Sequence, residues 1–165
     1  MTDHGYRNNT FILDNGSFSN PLLYGKFDTD QLAINTKNLP TDTDYVLAVG
    51  GKMVAEEVKV TLQTSNAWPD YVFTSAYNLP SLKEVETHIN EKGHLKNIPS
   101  AAEVEENGIV LGDMNAKLLE KIEELTLYTI AQEKGIEKLS LQTIEQQKEI
   151  EELKALVKAL IESKK

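Results

Sequence analysis

From Asn115 to Lys164 one register of seven runs without a slip. With Ile122 at position a, the a positions are Asn115, Ile122, Thr129, Ile136, Thr143, Ile150, Val157 and Lys164. The d positions are Leu118, Leu125, Gln132, Leu139, Gln146, Leu153 and Leu160. A hydrophobic period of seven winds helices into a left-handed supercoil. At about 1.5 Å per residue the helix would be roughly 75 Å long, far beyond a globular helix. Such a helix cannot bury its stripe alone, so partner chains are required.

The same stretch is a fourteen-residue repeat: IEELTLYTIAQEKG (122–135), IEKLSLQTIEQQKE (136–149) and IEELKALVKALIES (150–163). The expected oligomer interface is Leu118, Ile122, Leu125, Thr129, Gln132, Ile136, Leu139, Thr143, Gln146, Ile150, Leu153, Val157 and Leu160. Ile at a with Leu at d favours two strands. The Thr/Gln layers weaken that argument, because they could hydrogen-bond one another or water inside a three-stranded core. The heptad alone leaves dimer and trimer nearly tied. Leu127, Ile130, Leu141 and Ile144 form a second stripe at f and b, able to face a broader bundle or solvent. Gly135 lies mid-helix, costs about 1 kcal/mol relative to Ala and allows a local kink.

Upstream, the texture changes near residue 80, from Asn, Asp, Thr, Gly and aromatics to Glu, Lys, Leu and Ile. Ser81 with Glu84 is a capping box opening a helix to Glu91 or Lys92, with Gly93 as its C-cap. Leu82, Val85 and Ile89 give that helix one apolar face. Ser100 with Glu103 starts a shorter helix ending at Asn107-Gly108. A strand-like stretch at 109–111 follows, and Asp113 is the expected N-cap of the long helix.

The first part reads as short strands at 10–13, 22–27, 31–35 and 45–49, separated by turns such as Asp14-Asn15-Gly16 and Asp28-Thr29-Asp30. Gly50-Gly51 marks a bend. Over 52–62 the apolar residues are Val54, Val58, Val60 and Leu62, and from Val58 they alternate like a half-buried strand. These strands are too few and too short to close a core alone, and pairing with copies of the chain would supply what is missing. The aromatic run Trp68-Pro69-Asp70-Tyr71-Val72-Phe73 reads as a packing plug between the β part and the helical part, with a ligand-stacking platform as the sharper alternative.

Hydrophobic content is 40%, low for a globular chain and suited to an elongated oligomer with little interior per subunit. The net charge of −9, without a Lys/Arg cluster, argues against nucleic-acid phosphates and anionic membranes as partners. With no cysteine, disulfides and thiolate metal sites are excluded. No apolar run is long enough to span a bilayer, and residues 1–10 do not read as a signal peptide.

No pattern for catalysis stands out. His88 and His94 flank a helix end without metal-ligand spacing, and His4 is isolated. Glu56-Glu57 and Glu105-Glu106 are adjacent in sequence, so their side chains diverge rather than form an acid–base pair. Asp28/Asp30 and Asp42/Asp44 lack a full calcium ligand set. No catalytic residue, metal or cofactor is expected.

YVLAVGGKMVAEEVKV (45–60), WPDYVF (68–73) and LPSLKEVETHINEKGHLKNIPSAAEVEENGIVLGDMNAKLLEKIEELTLY (79–128) together resemble the C-terminal region of tail-fibre-like proteins from Bacteroidetes bacteria and their phages. The resemblance covers more than half of the chain. NPLLYGKFDTDQLAIN (20–35) is similar, less specifically, to the β-rich shaft or foot of such fibres. The family resembles fibre tips ending in a helical, endosialidase-type intramolecular chaperone module.

The resemblance implies a homotrimer of elongated α+β subunits. Residues 1–78 would form a β-rich part intertwined in the oligomer, 79–112 a short helical connector and 113–165 a parallel coiled coil. It implies a structural and binding role in a phage tail or contractile injection system, and no enzyme. Partners would be copies of the chain, other tail, baseplate or fibre proteins, and a cell-surface receptor or glycan. The location would be a virion or extracellular particle assembled in the cytoplasm. An autoprocessing chaperone and a bacterial surface adhesin stalk are the alternatives. The family's S-D-x-R-L-K-type cleavage motif has only Ser81-Leu82-Lys83 as its nearest counterpart; the Asp and Arg are absent.

Overall fold

A computed structural model describes residues 5–7 (backbone alone), 9–14, 16, 20–42, 44–61 and 68–163. The fold class is α+β, as expected. Contacts group the chain into two units, Met1–Val58 and Lys59–Lys165.

The first unit is a five-stranded sheet in sequential order: β1 (Gly5–Arg7), β2 (Thr10–Leu13), β3 (Leu23–Lys26), β4 (Gln31–Ile34) and β5 (Leu47–Val49). The first four strands form an antiparallel meander; β5 adds to β4 in parallel, with Leu32 opposite Leu47 and Ile34 opposite Val49. The expected strands appear within a residue or two of their boundaries, and β1 is an addition. Asn9, Asp30 and Asn35 take left-handed backbone angles (φ 60, 54 and 55). Asn and Asp tolerate that region because their short polar side chains can bond locally.

The long return from β4 to β5 is pinned from inside. Gln31 is buried; its amide nitrogen donates to the carbonyls of Pro40 and Tyr45, both at 3.1 Å, and its oxygen accepts from the Thr29 hydroxyl at 2.8 Å. Ala33 and Pro21 are buried, while Leu22, Phe27, Tyr45, Val46 and Leu47 stay exposed. The core is as thin as the strand lengths require.

The strand expected from Val58 does not form. Residues 57–61 carry no strand pairing and are exposed, and Leu62 lies outside the described residues. The alternation is there, but a strand is defined by a ladder, and no described strand of this chain pairs with it.

In the second unit a 3₁₀ turn, Pro69–Phe73, packs on the long helix with Pro69 and Val72 buried. Helices α1 (Leu82–Lys92) and α2 (Ala101–Asn107) each open on the expected capping box, Ser81 with Glu84 and Ser100 with Glu103. Gly93 closes α1 at φ 76, its N–H bonding Ile89 O at 2.8 Å. Helix α3 runs from Leu111 to Glu162, 52 residues, unbroken through Gly135.

Two expectations fail at the start of α3. Residues 109–110 form no strand, and Leu111 is already helical. Asp113 is not the N-cap: Met114 N donates to Val110 O at 2.9 Å, so the helix starts from Val110, which makes no side-chain cap bond. Asp113 instead sits in the first turn, where a carboxylate complements the positive end of the helix dipole.

Candidate functional site

All thirteen residues of the expected interface lie on α3, and every one is exposed in the single chain. What the chain buries on α3 is a different set: Gly112, Ala116, Glu120, Glu123 and Glu124. In the register of Ile122 these are positions e, b, f, b and c. Self-packing thus covers the outer side of the first turns and leaves a and d clear. Beyond Ile130, every described residue of the helix is exposed.

The outer contact is polar where a core would be apolar. The Tyr71 hydroxyl donates to Glu120 Oε2 at 2.6 Å, and Asn97 Nδ2 donates to Glu120 Oε1 at 3.0 Å. Lys121 Nζ bridges Glu120 at 2.7 Å and Glu124 at 2.9 Å. The Tyr77 hydroxyl donates to Glu124, and the Tyr128 hydroxyl donates back to Pro80 O at 2.6 Å. The rings of Tyr71 and Tyr77 lie tilted together, 5.9 Å apart. Burying charges is tolerable only when they are paired and hydrogen-bonded, and Glu120 and Lys121 are.

Their titration follows this pairing. Burial alone would raise the Glu120 carboxyl, but hydrogen bonds from Lys121, Tyr71 and Asn97 outweigh it and hold the group below the usual carboxylate range. Burial would likewise lower Lys121, and its two carboxylate partners hold it above the usual ammonium value. The bond to Glu120, with burial, pushes the Tyr71 phenol up to about 12; burial and the bond to Glu124 push Tyr77 up as well. Glu123 differs: its Oε2 is buried without a hydrogen-bond partner, and burial, then Asp70, raises its carboxyl.

Two Thr residues of the expected interface are satisfied within their own helix. Thr129 Oγ1 donates to Leu125 O and Thr143 Oγ1 to Leu139 O, each at 2.9 Å. Bonded one turn back, these hydroxyls have no need of a partner across the seam. The second stripe divides: Leu127 is half-buried, whereas Ile130, Leu141 and Ile144 are exposed.

The remaining sequence candidates do not assemble a reaction centre. His88 and His94 stand edge-to-face at 5.6 Å, with His94 Nδ1 on Leu95 O at 3.0 Å. His88 faces a cavity of about 240 Å³, where Lys96 and Lys121 are matched by Glu84 and Glu124. The Ser81 hydroxyl is engaged by its capping partner, Glu84 Oε2, at 2.7 Å. Asp42 Oδ1 accepts the Asp44 N–H at 3.0 Å, a local turn. Among the described residues no three His, Asp or Glu side chains come together to hold a metal ion, and His4 lies outside those residues.

Sequence reasoning missed the network of Tyr71, Tyr77, Asn97, Glu120 and Glu124. Its visible trace was the aromatic run 68–73, read as a plug; the plug's seat on α3 was not readable. No protein-family model matches the chain, and no curated protein or solved structure matches it either.

Proposed function

We propose that the chain is a structural and binding component of a homotrimeric fibre or fibre tip, of the kind carried by a phage tail or contractile injection system, with α3 as its trimerisation helix. One observation carries this reading: the chain packs its own elements on the outer face of α3 and leaves the a and d positions uncovered along the helix. Ile122, Leu125, Ile136, Leu139, Ile150, Leu153, Val157 and Leu160 are all exposed in the single chain. Amphipathic helices derive most of their stability from packing that face. Copies of the same helix supply it, and a seven-residue period keeps their faces in contact along the full length.

The order of three comes from the tail-fibre resemblance, since the seam residues leave two and three strands close. Other tail, baseplate or fibre proteins and a surface receptor or glycan are the partners this role implies. Among the described residues no helix is long and apolar enough to cross a membrane.

Sedimentation equilibrium of the intact chain tests the reading. A trimer mass at micromolar concentration is expected, and Ile136→Asp should return it to monomer, because each copy would bury an unpaired carboxylate in the seam. A monomer mass for the unaltered chain would refute the proposal. Intact-mass measurement separates it from an autoprocessing chaperone, which would yield two fragments that Ser81→Ala abolishes.

A further inference from the structure

Residues 51–61 follow β5 after Gly50 and carry neither helix nor ladder. Every one of them is exposed, Val54 at 98%. Among the described residues none of their backbone groups has a hydrogen-bond partner. Yet the composition is that of a strand. Val54, Val58 and Val60 share one parity, with β-branched side chains suited to a pleated surface.

The local solution would be a hairpin. Gly50-Gly51 is one of the residue pairs favoured in two-residue hairpin loops, and would lay residue 52 onward back along β5. The chain does not take it. Gly50 N donates to Ile34 O at 2.8 Å and Asn35 Nδ2 donates to Gly50 O at 2.8 Å, so Gly50 prolongs the parallel pairing with β4 instead of turning. The outer edge of β5 is therefore left open. β5 is short, but that edge has no Pro and no charge in Leu47-Ala48-Val49, and Leu47 and Val49 are exposed.

We infer that residues 52–61 pair with the open β5 edge of a second copy of this chain. Each copy offers the open β5 edge and one unpaired segment, a head-to-tail complement. Head-to-tail contacts of one kind close into a ring under cyclic symmetry, which gives every edge a strand and every strand an edge. The period-two spacing of Val58 and Val60 matches that of Leu47 and Val49, so the apolar sides can meet along the ladder. This inference rests on the trimer reading and adds to it a second, β-type interface outside the helical seam.

Hydrogen–deuterium exchange of the full-length protein tests it, beside the sedimentation mass of the same sample. Slow exchange at 45–50 and 52–61 in the oligomer is expected, lost in the Ile136→Asp monomer. Val58→Pro removes a ladder donor; it should keep the oligomer mass through α3 while the neighbour's residues 45–50 lose protection. An oligomer with fast exchange at 52–61 overturns this inference and leaves the trimer reading standing. Protection that persists in the Ile136→Asp monomer also overturns it, because the partner strand would then lie in the same chain. A monomeric unaltered chain overturns both.

Discussion

The Tyr71 hydroxyl reaches Glu120 Oε2 at 2.6 Å across 49 residues of chain, fastening the 3₁₀ turn to the outer face of the long helix. Glu120 is a position that a helical wheel assigns to solvent. Removing the donor with Tyr71→Phe leaves that carboxylate one bond short in a buried place. A hydrogen bond to a charged group contributes about 1.5–3 kcal/mol; with Tyr71 itself partly exposed, a loss near 1–2 kcal/mol is expected. Trp68 is the single tryptophan and sits directly before the turn, so its fluorescence during urea titration reads the change. An unchanged midpoint would show that the bond does not hold the turn.

Acid should act on two neighbouring glutamates with opposite sign. Glu120 is held below the usual carboxylate range by its partners, so it stabilises the fold above the unfolded value, about 4.3, and that contribution fades as pH falls through its folded pKa. Glu123 is raised, by burial and then by Asp70, so its carboxylate is unfavourable above its folded pKa and the penalty is relieved by acidification. Glu123→Gln should therefore raise the urea midpoint at pH 7, with the gain shrinking toward pH 4. Glu120→Gln should lower it at pH 7, with the deficit holding down to the unfolded value, about 4.3, and shrinking only below it. Parallel pH profiles for the two variants would contradict this assignment.

Local chemistry was legible and long-range chemistry was not. Ser81/Glu84 and Ser100/Glu103 close their capping boxes within four residues of chain, so the pattern carries its own partner. The α3 start was misread because Asp113 in a first turn looks in sequence like Asp at a cap, and the Val110 boundary has no side-chain marker. Glu120, Glu123 and Glu124 lie off the a and d positions, and their burial depends on residues such as Tyr71 and Tyr77 arriving from more than forty positions earlier. No period in the helix encodes that arrival. The alternation from Val58 to Val60 did not yield a strand, because a strand needs a ladder and no described strand of the chain pairs with these residues.

Gly50 should be irreplaceable for a steric reason. A Cβ there would stand 2.5 Å from Asn35 O and 2.8 Å from Thr36 Cβ, and the first of these is backbone. Gly50→Ala should destabilise the sheet by roughly 1–3 kcal/mol, as overpacking does. Asn35 is its counterpart: at φ 55 it tolerates Gly better than Ala, so Asn35→Gly should cost less than Asn35→Ala although both lose the bond to Gly50 O. Thermal melting of the three variants gives the order; Asn35→Ala milder than Asn35→Gly would overturn the backbone argument.

Leu139 and Leu141 make a matched pair on the same turn of α3. They are 63% and 69% exposed in the single chain, so intrachain packing predicts the same small effect for both. Their heptad positions differ: Leu139 is d, Leu141 is f. With an a/d seam, Leu139→Ala should cost about 2–5 kcal/mol per chain, while Leu141→Ala should stay within about 0.5 kcal/mol. Melting followed by helical circular dichroism at several protein concentrations distinguishes them. Equal effects would place the interface elsewhere on the helix.

The Thr positions give the most selective test of the proposed seam. Thr129 and Thr143 sit at a, and their hydroxyls donate to Leu125 O and Leu139 O of the same helix. Those carbonyls lie mid-helix, where the backbone ladder already supplies a donor. Replacing Thr by Val keeps the shape, removes a bond that the carbonyl can forgo, and puts a methyl where a hydroxyl was. Buried in an oligomer, that methyl adds about 0.8 kcal/mol per site, in proportion to the apolar area removed from water. Thr129→Val and Thr143→Val should thus each raise the melting temperature of the assembly. If the hydroxyls instead crossed the seam to bond a neighbouring chain, Val would strand their partners and lower it. The sign of the shift therefore decides between self-satisfied and cross-bonded layers, and it needs only a melting curve of the full-length protein.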